Sequence, residues 1–205
     1  MKTSGSLLFL IAFVLLGLGV GPAQAQTGHM YIGASAGSTS FDTGITALTA
    51  SLDDSSTGFK VYGGYNLSPN VAVELSYADL GSAEVTGNIG DRFIADGYLF
   101  EFTVNNAHIK FEGTLVGAGA RFRLPVSRTF NIHARLGLAS WNVDTTAYAP
   151  GVPGASSSNS GTDPYYGAGV GWEFVPTVYL TADFEHYELD TESADLISVG
   201  IAKRF

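Results

Sequence analysis

The last ten residues, Leu196-Ile197-Ser198-Val199-Gly200-Ile201-Ala202-Lys203-Arg204-Phe205, divide by position: Ile197, Val199, Ile201 and the aromatic Phe205 fall on one side of an extended chain, and Ser198, Gly200, Ala202 and Arg204 on the other. Side chains alternate across a strand, so this spacing predicts a strand with one apolar face and one small or polar face. In lipid, only a helix or a closed barrel satisfies every backbone N–H and C=O, and the strands of a barrel must alternate lipid-facing and lumen-facing residues. The terminal stretch therefore predicts a wall strand of a membrane barrel.

Seven stretches upstream alternate in the same way. Met30, Ile32, Ala34 and Ala36 oppose Tyr31, Gly33 and Ser35. Phe59, Val61, Gly63 and Tyr65 oppose Lys60, Tyr62, Gly64 and Asn66, and after a turn at residues 67–70, Val71, Val73, Leu75 and Tyr77 oppose Ala72, Glu74 and Ser76. Val116, Ala118, Ala120, Phe122 and Leu124 stand against Gly117, Gly119, Arg121 and Arg123. Across a turn at 125–129, Ile132, Ala134, Leu136 and Leu138 stand against His133, Arg135 and Gly137. Tyr166, Ala168, Val170, Trp172 and Phe174 oppose four positions that are Gly167, Gly169, Gly171 and Glu173. A turn at 175–177 leads to Val178, Leu180, Ala182 and Phe184, opposed by Tyr179, Thr181, Asp183 and Glu185.

The expected fold is thus all-β: an eight-stranded antiparallel up-and-down transmembrane β-barrel. Its connections alternate in length, short at three turns and long at about 41–57, 81–113, 142–163 and, less so, 189–195. Short turns on one side and long loops on the other are the outer-membrane pattern. A soluble eight-stranded barrel needs a densely charged outer face. Here the polar face is mostly Gly, Ser, Ala and Tyr with isolated ions, as in a narrow lumen, and aromatics near strand ends fit an interfacial girdle.

The chain has 205 residues, 26 of them Gly, with 10 Tyr, 13 Phe and only 14% charged residues, which suits aromatic strands better than amphipathic helices. It has no Cys, which excludes disulfides and thiolate metal sites and is silent on compartment. Compartment is read from the start: Lys2, an apolar run over 7–20, then Gly21, Pro22 and the small-x-small site ending at Ala25. That run is shorter than the roughly 20 residues a spanning helix needs, so residues 1–25 read as a cleaved signal peptide and 26–205 as the barrel, with cleavage between Ala25 and Gln26. Removing Lys2 leaves nine Lys and Arg against 19 Asp and Glu, which argues against nucleic acid as a partner.

Gly63-Gly64-Tyr65, Pro69, residues 71–74, Tyr77, Leu80 and Gly81 form one block; Ala120, Arg121, Pro125, Ile132, Arg135, Leu136, Gly137 and Trp141 form a second; Gly200, Arg204 and Phe205 close the chain. In this order they resemble the membrane domain of the outer-membrane protein A family. The resemblance implies a bacterial outer-membrane location, contact with outer-membrane lipid and lipopolysaccharide, and handling by the barrel-assembly machinery, whose terminal signal here comprises Ile201 and Phe205. It also implies interior ion pairs, with Glu74, Arg121 and Arg135 at the matching positions. The family's lumen Glu on strand six is Gly171 here and its Arg on strand seven is Thr181, leaving Asp183 or Glu185 to supply the counter-charge. Lys203 stands where an aromatic is usual. The periplasmic peptidoglycan-binding domain of longer members is expected to be absent, so tethering to the cell wall is not carried over.

The expected lumen set is Lys60, Glu74, Arg121, Arg123, Arg135, Glu173, Asp183, Glu185 and Arg204, nearly balanced in sign, because an unpaired charge in a narrow interior is costly. It supports two readings, a plug of ion pairs or a narrow gated pore for small ions or solutes; eight strands leave an interior barely wide enough for side chains. The long loops carry 14 acidic residues against Arg92 and Lys110. Such a rim suits divalent cations, basic partners or plain solubility, and no Asp-x-Asp-x-Asp spacing singles out calcium.

The second loop holds Phe93, Ile94, Tyr98, Phe100 and Phe102, with Asn105-Asn106 predicting a hairpin turn. These aromatics either form a surface patch for an extracellular ligand, or pack over the barrel mouth or extend the fourth strand. No enzyme is expected: His186 lacks the Ser two residues on that the resembling lipid A deacylases use, and His29, His108 and His133 show no metal-ligand spacing. No cofactor is implied. The sequence reads as a structural and cell-surface interaction barrel of adhesin-like character.

Overall fold

The computed structural model describes residues 29–95 and 97–205. Its strands are β1 (Met30–Asp42), β2 (Thr46–Ala47), β3 (Ser51–Asp53), β4 (Ser55–Asn66), β5 (Val71–Gly87), β6 (Arg92–Ala95), β7 (Tyr98–Glu101), β8 (Ala107–Pro125), β9 (Phe130–Ala149), β10 (Val152–Val175), β11 (Val178–Leu189) and β12 (Glu192–Arg204). Eight of them, β1, β4, β5 and β8 to β12, form one antiparallel barrel. It closes because β1 pairs with β4 on one side and with β12 on the other, from Tyr31 opposite Arg204 to Asp42 opposite Ser193. The expected cleavage point at Ala25 and Gln26 lies outside the described residues.

The alternation that identified the strands is borne out by exposure. Ile32, Phe59, Val61, Val73, Phe122, Leu136, Trp172, Ile197, Val199 and Ile201 all face outward, while Tyr31, Lys60, Glu74, His133, Arg135, Asp183 and Ser198 are buried inside. The outward apolar belt ends on the loop side at one level, where Ser38, Thr57, Asp79, Thr114, Ser140, Pro164, His186 and Asp195 take over the same strand face. Exposed aromatics mark both edges of the belt. Tyr65, Phe122, Trp172, Phe174 and Phe205 lie at the short-turn edge, and Phe59, Tyr77, Tyr166 and Phe184 at the other. Amphipathic and aromatic rings favour the two interfaces of a bilayer, so these edges fix the height of the barrel in the membrane.

The short turns at 67–70 and 126–129 fall where expected, and Thr177, at a φ of 67°, turns β10 into β11. The long loops are different. Residues 142–163, expected to be loop, continue the β9–β10 ladder from Trp141 opposite Gly161 up to Ala149 opposite Val152, turning at Pro150 and Gly151. The stretch 189–195 is likewise a tight turn, with Asp190 at a φ of 66° between β11 and β12. Ser, Thr and Asn dominate the extended β9–β10 hairpin, so it lacked the apolar alternation that identifies a half-buried strand. In the second loop the hairpin is β6 with β7, turning at Gly97 (φ 77°), and Asn105-Asn106 leads directly into β8. The Asp-Gly pair at 96–97 was the stronger turn signal.

Glycines shape the lumen where β8, β9 and β10 crowd. Gly119 and Gly137 face each other across the β8–β9 ladder, and the Tyr165 ring fills the space their missing side chains leave. A Cβ at Gly137 would run into both the Ala118 carbonyl and that ring, whereas one at the outward Gly63 meets nothing closer than 3.7 Å. Overpacking a filled interior costs about 1–3 kcal/mol, more where backbone is struck. Gly137→Val is expected to leave most of the protein without the compact band seen on unboiled gels, and Gly63→Ala to leave that band unchanged.

Candidate functional site

Ion-paired side chains from four wall strands form the centre of a polar cluster across the barrel interior. Arg135 on β9 donates from Nε to Glu74 Oε1 on β5 at 2.9 Å and from Nη1 to Asp183 Oδ1 on β11 at 2.6 Å. Lys60 on β4 sits 2.5 Å from Glu185 Oε1 and 3.9 Å from Glu74 Oε1. Tyr31 donates its hydroxyl to Glu74 Oε2 at 2.8 Å, and Tyr187 to Glu185 Oε2 at 3.2 Å. The Lys60 and Arg135 cations both lie over the Tyr62 ring. Three carboxylates thus face two cations, and His133 supplies the missing donor. Arg121 Nη2, which can only donate, lies 3.1 Å from His133 Nδ1, so the imidazole proton sits on Nε2, 2.6 Å from Asp183 Oδ1. His133 shares the lumen parity of Arg135, and that parity is the sequence signal that places it in the cluster.

Four expected members take no part in the ion pairs of this cluster. Arg121 and Arg123 have no carboxylate within 4 Å among the described residues. Arg123, two residues before the end of β8, instead donates from Nε and Nη2 to the Pro69 carbonyl at 3.2 and 2.8 Å, capping the neighbouring turn. Glu173 and Arg204 also lie near this short-turn mouth, 3.9 Å apart.

Directly above the polar cluster the lumen is filled by an apolar one. Leu80, Leu115, Trp141, Tyr165, Tyr187, Leu189 and Leu196 pack together with Phe41 and small alanines, all buried. The Tyr165 and Tyr187 rings stack at 5.5 Å, and Trp141 Nε1 donates to Asp163 Oδ2 at 2.7 Å. On the outer face of the same strands the belt gives way to polar residues at this height, so the stopper sits at the outer surface of the bilayer. A filled apolar constriction excludes water and ions.

Above it, the small sheet β2-β6-β7 forms a cap with its own core of Val85, Phe93, Phe102 and Ala107. Of the five candidates for a surface patch, Phe93 and Phe102 are therefore core residues at 7% and 8% exposure, and Ile94 is half-buried. Tyr98 at 72% and Phe100 at 47% are exposed, with Leu99 between them. Position in the small sheet divides them, not alternation: Phe93 and Phe100 are cross-strand partners that stack at 5.4 Å, but β6 is the central strand and β7 the edge, exposed along its whole length. The cap's two cations are both engaged locally, Arg92 with Glu101 at 2.8 Å and Lys110 with Glu112 at 2.8 Å, and the latter hydrogen bond raises Lys110 above the usual lysine range.

Among known proteins, residues 10–205 match the family described as the outer membrane protein beta-barrel domain. Outer membrane protein A of Shigella flexneri is 26% identical over 205 residues, covering 95% of this chain and 54% of that protein; its Escherichia fergusonii counterpart is 27% identical over 207 residues. This chain spans about half the length of the curated relatives it matches. Of solved structures, Ail of Yersinia pestis, crystallised with the heparin analogue sucrose octasulfate, superposes with a TM-score of 0.52 at 19% identity, covering 86% of this chain and 99% of Ail. The N-terminal barrel of Pseudomonas aeruginosa OprF gives a TM-score of 0.52 at 15% identity, covering 88% of this chain and all of that domain. The match extends to the last aromatic of the closing strand, and the chain accordingly belongs to the outer membrane protein β-barrel domain family of the bacterial outer membrane.

Proposed function

We propose that this protein is a closed structural barrel whose cap makes adhesin-like contacts at the cell surface. The observation that carries the closed reading is the double filling of the lumen, polar below and apolar above. Eight strands leave little interior to begin with. Export with cleavage between Ala25 and Gln26, recognition of the terminal strand with Ile201 and Phe205 by the barrel-assembly machinery, and lipopolysaccharide around the belt complete the proposal. Refolded protein in a planar bilayer is expected to be electrically silent, and discrete current steps from the native chain would reject a closed lumen.

The cap is the contact surface in this reading. Tyr98, Leu99 and Phe100 project from a hairpin that Phe93 and Phe102 hold down, and exposed aromatics anchored on a rigid base are effective contact residues. Because both cap cations are spent on carboxylates, a polyanion such as the one bound to Ail finds no free cation here, and an apolar or cationic protein surface fits better. Tyr98→Ala with Phe100→Ala is expected to lower adherence of cells displaying the barrel to immobilised protein at least tenfold, with unboiled gel mobility unchanged. Adherence equal to wild type would remove the hairpin from the proposal.

A further inference from the structure

We propose that the short-turn mouth of the barrel is a binding site for an oxyanion, of the phosphate class. The three lumen carboxylates Glu74, Asp183 and Glu185 are satisfied by Lys60, Arg135 and His133, with no direct bond from Arg121, Arg123 or Arg204; Arg121 meets the cluster only through one Nη2 contact to His133. The guanidinium groups of Arg121, Arg123 and Arg204 line one narrow recess at this mouth. Glu173 is the carboxylate near them, and it is already engaged. Its Oε1 accepts the Thr177 N–H at 2.7 Å and its Oε2 the Tyr179 hydroxyl at 3.0 Å, with Arg204 at 3.9 Å. Among the described residues, the side chains at the mouth are thus three cations against one anion.

The groups are also held in place. The Arg121 guanidinium rests over the Tyr31 ring at 5.3 Å and that of Arg204 over Tyr179 at 5.6 Å, while Arg123 is fixed by the Pro69 carbonyl. Arg121 Nε is buried and has no acceptor among the described residues. A buried donor on a cation that lacks a partner is costly, and a bound oxyanion relieves that cost. Guanidinium forks match the oxygens of phosphate and carboxylate groups in two-point contact, and rings stacked on their faces leave their N–H edges available. The narrowness of the recess limits the ligand to a small group: free phosphate, or the phosphate of a headgroup reaching in from the inner leaflet.

The test uses the refolded barrel in a neutral detergent at constant ionic strength. Calorimetric titration with inorganic phosphate, and separately with phosphatidylglycerol in mixed micelles, is compared between wild type, Arg123→Gln and Arg204→Gln. Both substitutions lie outside the lumen cluster and are checked for native gel mobility. Saturable binding of either probe that weakens at least tenfold in the two variants supports the site, and the probe that binds identifies the source. No saturable binding of either, or binding unchanged in both variants, overturns it.

Discussion

Arg135→Met should lower the unfolding free energy of the refolded barrel by about 3–5 kcal/mol, the usual cost of removing one partner from a buried charge network. Arg135 bridges Glu74 and Asp183 and lies 3.8 Å from Glu185, and all three carboxylates are essentially inaccessible to solvent. Without the guanidinium, Lys60 is the remaining cation for three buried carboxylates, and uncompensated charge in a low-dielectric interior is the expensive case. The measurement is urea unfolding in lipid vesicles, followed by the fluorescence of Trp141 and Trp172. Changing Glu74→Gln and Asp183→Asn in the Arg135→Met background should recover much of the loss, because it removes the stranded charges together with their partner. A loss below about 1 kcal/mol would mean that water reaches the cluster, against the burial on which the closed reading rests.

The same Arg135→Met variant should still not conduct. The apolar stopper of Leu80, Leu115, Trp141 and Leu196 lies in series with the polar cluster, so opening one layer leaves the other shut. Trp141→Ala with Leu115→Ala should also be silent alone, since Lys60, Glu185, Glu74 and Arg135 still span the lumen below. Current steps are expected only when both layers are cut, in Arg135→Ala with Leu115→Ala and Trp141→Ala. Each large-to-small change costs about 2–5 kcal/mol, so the combined variant must first show the unboiled barrel band. Conductance on removing the polar layer alone would assign the seal entirely to the ion pairs.

Much of this barrel was legible because lipid imposes a strict rule on the outward face. Ile197, Val199 and Ile201, or Val73, Leu75 and Tyr77, cannot be polar at the bilayer midplane, so the period of two survives without tertiary knowledge. Above the belt that constraint disappears. Ser156 to Ser160 continue a strand with no apolar face to announce it, and the lumen parity, polar at Glu74 and Ser76, turns apolar at Ala78 and Leu80. A rule that reads polar as inside therefore missed the stopper. Nor does parity choose partners. Lys60 and Glu185 are 125 positions apart and meet only because β4 and β11 face each other across the closed wall, and Arg121 and Arg123 share the lumen parity yet end below the carboxylates they were expected to meet. In the cap, composition marked the aromatics, but only the strand order, with β6 central and β7 at the edge, separates buried Phe93 from exposed Tyr98 and Phe100.

The unequal ends of the barrel make its insertion a one-way event. On one side the belt is followed by turns of a few residues; on the other stands a folded cap whose loops hold 14 acidic side chains. Dragging each such charge through hydrocarbon costs a few kcal/mol at the midplane by insertion scales, about 2.5–3.5 for Asp. The turns can cross a bilayer and the cap cannot, so a chain added to sealed vesicles must thread turns first and leave its cap on the side from which it came. Every barrel in such a preparation then points the same way, the finished protein has no route to turn over, and a protease added outside meets the cap alone.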